Sequence, residues 1–132
     1  MKPSEEKDVC WLRAFRRQGV YPESVRPGKW LIFVREHEVD TVWEKIALAT
    51  EQGLLGDAAK VSTAKPRSDY DRKIRVICVY TYDWKDEEDV HRVRQALREL
   101  GIDWRLRYKT DEDTLTGKYS RLGYRHIAKY FE

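Results

Sequence analysis

At 132 residues the chain has the length of one domain with a single core, and residues 1–132 are read as one. Hydrophobic residues at 41% and aromatics at 12% exclude a disordered segment. No apolar run approaches the ~18 residues of a membrane helix, so no membrane partner is expected. Charge is dense at 37% but balanced, 26 basic against 23 acidic residues, and a net +3 does not by itself announce a nucleic-acid binder.

The opening MKPSEEKD has no apolar signal core, which leaves the cytoplasm as the expected compartment. Asparagine is absent and glutamine occurs three times, amid abundant Lys, Arg and Glu, a composition typical of heat-adapted proteins. Cys10 and Cys78 form neither a metal-type pair nor a disulfide framework; Cys78, inside an apolar run, reads as a small buried hydrophobe.

In chain order, residues 5–18 suggest a helix, with Ser4 as cap, Trp11, Leu12 and Phe15 as apolar strip, and Gly19 as stop. Residues 20–28 carry two prolines and a glycine and read as a connection. KWLIFV (29–34) has strand length. A helix is expected from near Asp40, where Val39, Val42, Trp43, Ile46 and Ala47 keep the 3.6 period, to Gly53 or Gly56. AAKVSTA (58–64) is a weak strand, 65–72 a polar loop, and KIRVICVYTY (73–82) the strongest strand. Asp86 caps a further helix with Val90, Val93, Leu97 and Leu100 as its stripe and Gly101 behind it. WRLRYKT (104–110) is another strand. Residues 111–132 form an irregular basic-aromatic tail in which IAKYF reads as a last short strand. The order strand, helix, strand therefore occurs twice, and an α+β sandwich follows, with helices packed on one face of a sheet.

Alternation in WRLRYKT puts Trp104, Leu106, Tyr108 and Thr110 on one side and Arg105, Arg107 and Lys109 on the other. A side with three consecutive cations cannot lie under helices without several kcal/mol per unpaired charge, so it is expected to face water or an anionic ligand. Lys73, Arg75, Lys60 and Ser62 are candidates to join the same field. Such cations either decorate a solvated sheet or meet phosphate. Residues 104–130 favour phosphate, with seven Lys or Arg against three clustered acids, interleaved with tyrosines. Cations beside rings suit phosphate and base. Arg121 and Arg125 extend the phosphate-binding set, and Trp84, Tyr119 and Tyr124 are the stacking candidates. Trp84 has a plainer reading too, as a staple of the following helix to the sheet. Trp11 and Trp43 are expected in the core, and His37 and His91 at the surface. TDEDT (110–114) matches no calcium loop and reads as a turn. No metal or cofactor motif and no nucleophile motif is present.

GKWLIFV, VDTVWEKIALATEQGLLG followed by AAKVST, and ICVYTYDWKDEEDVHRVRQALRELGIDWRLRYKTDEDT resemble the basophilic leukaemia expressed protein family over roughly residues 28 to 120. The resemblance implies a fold similar to that of the cap-binding translation initiation factor 4E: a curved, mainly antiparallel sheet with helices on its convex side and basic residues holding phosphate on the concave side. It also implies an alternative, elimination of the phosphothreonine-lyase type. That chemistry needs a lysine base (Lys60 or Lys109), a histidine acid (His126) and arginines for phosphate (Arg105, Arg107 or Arg125). The expected function is a non-catalytic domain that binds RNA, a nucleotide or another phosphorylated ligand. The alternatives are this enzyme and a module that docks an acidic protein.

Overall fold

The computed structural model describes residues 1–66, 73–111 and 129–132. These form one six-stranded antiparallel sheet and two helices, an α+β fold. In chain order they are β1 (Trp11–Phe15), β2 (Gly28–Arg35), α1 (Glu36–Glu51), β3 (Ala58–Ser62), β4 (Ile74–Thr81), α2 (Glu87–Glu99), β5 (Arg107–Thr110) and β6 (Tyr130–Phe131). The spatial order is β1-β3-β4-β2-β5-β6.

The repeated strand-helix-strand order has a spatial meaning. β4 lies between β2 and β3, and β2 lies between β4 and β5. Each unit is thus a split β-α-β whose gap is filled by a strand of the other, the plan of ferredoxin-like domains. Neither unit completes its sheet alone, which is why the two share one core.

That core lies between the sheet and both helices. Trp30, Ile32 and Val34 of β2 face Val39, Trp43 and Ile46 of α1 and Val90, Val93 and Leu97 of α2, all buried. Full burial of side chains of this size contributes about 1.5–3 kcal/mol each. The Trp30 indole N–H donates to the Val90 carbonyl at 3.0 Å, so the largest core ring is satisfied as well as packed.

Both helices stop at glycines in the left-handed region, Gly53 (φ 78°) behind α1 and Gly101 (φ 94°) behind α2, as their sequence positions suggest. Asp86 caps α2 by accepting from Asp89 N–H.

Three elements differ from the sequence reading. Residues 11–15 are a strand, not part of a helix, because they pair along β3 from Trp11↔Ser62 to Phe15↔Ala58. Ser4 caps nothing; its N–H and hydroxyl both donate to the Asp40 carboxylate and tie the N-terminal segment to α1. α1 begins at Glu36, directly after β2, because its first turn (Glu36, His37, Glu38) is polar and leaves no apolar period to read. β5 begins at Arg107, after Trp104 has given its carbonyl to Arg94.

Candidate functional site

Antiparallel partners point to the same side of a sheet, so the register fixes what the side away from the helices carries. One row crosses all six strands: Arg13, Lys60, Cys78, Leu31, Arg107 and Phe131, on β1, β3, β4, β2, β5 and β6. Beside it run Tyr80, Lys29 and Lys109. Arg13, Lys29, Lys60, Arg107 and Lys109, far apart in sequence, therefore share one side. Asp111 meets them with an ion pair to Lys29 at 3.0 Å.

This side is not open throughout. Leu31 and Cys78 are 7% and 3% exposed, and Lys29 is 9% exposed. The water-facing cations lie towards the two ends: Arg13 and the half-buried Lys60 at one, Arg107 and the half-buried Lys109 at the other. β1 and β5 are four strand spacings apart, about 19 Å. One phosphate cannot touch both ends.

Each end pairs cations with a ring. The Lys60 ammonium stands 4.0 Å from the Trp11 ring centroid. At the other end the Arg105 and Arg107 guanidiniums lie 4.1 Å and 5.7 Å from the Phe131 ring centroid. Burial, helped by the nearby Arg13 and Lys29 charges, pulls the Lys60 pKa below the ordinary lysine range. Burial pushes the Cys78 thiol up, so it stays protonated and behaves as the small hydrophobe its apolar run suggests.

Of the residues nominated from sequence, Lys60, Arg107 and Lys109 come together on this side, with Arg105 just ahead of β5. Arg75 does not join them. It lies opposite Val34 on the helix side, 3% exposed, with Glu36 at 3.6 Å. Alternation along β4 alone put Arg75 with Ile77 and Val79; the register identifies that side as the buried one. Trp84 is partly buried against the core, with the Lys129 ammonium 4.6 Å from its ring centroid and its indole N–H buried without a hydrogen-bond partner among the described residues. This staple position leaves it less able to stack a ligand. Tyr119, Arg121, Tyr124, Arg125 and His126 lie outside the described residues.

Trp43 is in the core as expected, whereas Trp11 lies on the helix-free side under Lys60. His37 is exposed beside Glu38, and His91 is half-buried between Glu132 and the Tyr130 ring. Sequence reading missed Arg13, Lys29, Trp11 and Phe131. Arg13 and Trp11 were hidden in an expected helix; read as a strand, their alternation with Leu12 and Ala14 places them. Phe131 lies in IAKYF, which reads as a last short strand, but a strand of two paired residues gives no alternation that says which side it faces. Among the described residues no cluster of His, Cys, Asp and Glu is placed to hold a metal, and no helix is long and apolar enough to cross a membrane.

A family model for basophilic leukemia-expressed protein Bles03 matches residues 21–112. The match spans the two interlocked units from β2 to β5, the greater part of the chain, and with them Lys29, Lys60, Arg107 and Lys109. The chain belongs to the Bles03 family.

Proposed function

We propose that the helix-free side of the sheet binds RNA, a nucleotide or another phosphorylated ligand without converting it. One observation carries this reading. Strands distant in sequence converge Arg13, Lys60, Lys29, Arg107 and Lys109 on a side that neither helix covers. Asp111 answers Lys29 at 3.0 Å, and the exposed Arg13 and Arg107 at the two ends add positive potential that favours an anionic ligand. The likeness to the cap-binding translation initiation factor 4E belongs to this proposal and supports its direction, since that factor holds phosphate on the concave side of its sheet.

Binding of short single-stranded RNA, followed by fluorescence anisotropy over a salt series, tests it. Affinity is expected to fall steeply with salt. Arg105→Glu with Arg107→Glu is expected to abolish binding while circular dichroism stays unchanged. Absence of any salt-dependent binding to RNA or nucleotides overturns the reading.

A second reading, elimination on a phosphorylated threonine, draws on the lowered pKa of Lys60, which raises the neutral fraction a base needs. Incubation with a phosphothreonine peptide separates the two. Loss of phosphate to leave dehydrobutyrine, seen by mass spectrometry, marks the enzyme, and an unchanged peptide marks the binding domain.

A further inference from the structure

We infer that the β5–β6 end of this side is a nucleotide site, in which Phe131 and Arg105 form a platform for a base and Arg107 takes its phosphate. The inference rests on the reading above and narrows it to one place and one class of ligand.

β6 divides its two residues between two tasks. Tyr130 packs against the core, its ring 5.6 Å from Tyr108, and its hydroxyl donates to Glu87 at 3.0 Å. Phe131 points to the other side and stays 48% exposed. An exposed phenyl ring adds nothing to the core, and it is directly opposite Arg107 in the register. Arg105 lies over the ring at 4.1 Å, and its Nη2 donates to the Phe131 carbonyl at 3.3 Å. The guanidinium is thus held in place before any ligand arrives, which lowers the ordering cost of binding. Among the described residues, neither Arg105 nor Arg107 has a carboxylate partner.

Bases stack on aromatic rings and on guanidinium planes, and here the two surfaces are assembled together. Arg107, exposed and 5.7 Å from the same ring, supplies charge at the edge of the platform, where the phosphate of a stacked nucleotide falls. An acidic peptide would use only the charges and leave the ring idle; a nucleotide uses both. A free mononucleotide and a nucleotide within a strand share this chemistry.

The test uses the full chain with four probes: a short oligoribonucleotide carrying 2-aminopurine, the matching abasic oligomer, a mononucleotide and polyglutamate. Stacking of one base is worth about five- to a hundredfold in affinity. Phe131→Ala is therefore expected to weaken the base-bearing oligomer at least fivefold and to leave the abasic oligomer unchanged. Phe131→Trp is expected to restore or strengthen binding. The 2-aminopurine emission should be quenched by the wild-type chain and by Phe131→Trp, and not by Phe131→Ala. Mononucleotide binding with the same response identifies the free nucleotide as sufficient; a response from the oligomer alone identifies a strand, and both support the site. Salt-dependent binding that Phe131→Ala leaves intact for every probe overturns the platform while the basic side stands. Polyglutamate bound as tightly as the oligomer overturns it in favour of an acidic partner. No salt-dependent binding at all removes the basic-side reading itself.

Discussion

The hydroxyl of Tyr108 on β5 passes directly over Gly28 on β2, and a Cβ at Gly28 would lie 2.7 Å from the ring carbon Cε1 of Tyr108. The ring cannot swing aside. It packs edge-on to Trp30 at 5.1 Å, and its hydroxyl is hydrogen-bonded to Thr81 Oγ1 on β4 at 2.6 Å. Gly28→Ala is therefore expected to destabilise the chain by about 2–3 kcal/mol, the cost of overpacking a fixed side chain. Urea unfolding measures it. In the Tyr108→Phe background, where the nearest clashing atom and the hydrogen bond to Thr81 are both gone and the remaining ring carbons can shift, the same substitution should cost less.

Arg94 concerns the link between α2 and the C-terminal strand. Its side chain is wholly buried, and it donates to the carbonyls of Ile102, Trp104 and Glu132 at 2.9, 2.7 and 2.9 Å. Arg94→Met keeps the bulk but leaves these acceptors without their donor. A loss of about 2–4 kcal/mol is expected. Hydrogen exchange should show faster opening around residues 102–106 and 130–132 than in α1.

Asp83 and Arg26 give a pH dependence. The hydrogen-bonded Arg26 guanidinium, at 2.6 Å and 2.9 Å, holds the Asp83 carboxyl down to about 2. A carboxyl with a depressed folded-state pKa contributes stability that is present above its unfolded value near 4 and is lost as pH falls towards 2. The wild-type chain should therefore lose more stability than Asp83→Asn between pH 5 and pH 2, as read from urea midpoints. Arg26 is 41% exposed on its side chain, so added salt should narrow the difference.

The cap of α2 is separable from its charge. Asp86 accepts from Asp89 N–H at 3.1 Å and from the Tyr82 hydroxyl, and that hydrogen bond is the largest cause of the Tyr82 pKa being pushed up to about 12. Asp86→Ala should cost about 1 kcal/mol and Asp86→Asn only a fraction of that, since an amide oxygen still caps. Thermal melts give the stability difference. Resonance titration of Tyr82 should show its pKa falling in both variants.

The interior elements were legible in the sequence because each carries its own period. KIRVICVYTY alternates and is β-branched, and the α2 stripe repeats at 3.6 with Asp86 before it and Gly101 behind. The segment around Trp11 was not legible. Trp11, Leu12 and Phe15 fit one helix face, while Leu12 and Ala14 fit one strand face equally well. The choice was made by β3, more than forty residues later, whose free edge Trp11–Phe15 covers.

The candidate site shows the same division. That Arg105, Arg107 and Lys109 stand away from the helices is legible in the chain alone, because burying alternating cations under an apolar layer costs too much. The same holds for Cys78 as a small buried hydrophobe and for two strand-helix-strand units in succession. Which distant cations share that side is set by strand pairing. Register brought Arg13, Lys29 and Lys60 to it and placed Arg75 on the other, in contact with Glu36. It also placed Phe131 rather than Trp84 beside the arginines. The reason is geometric: the period along a strand says which residues face together, but only pairing with neighbours says which way that face points.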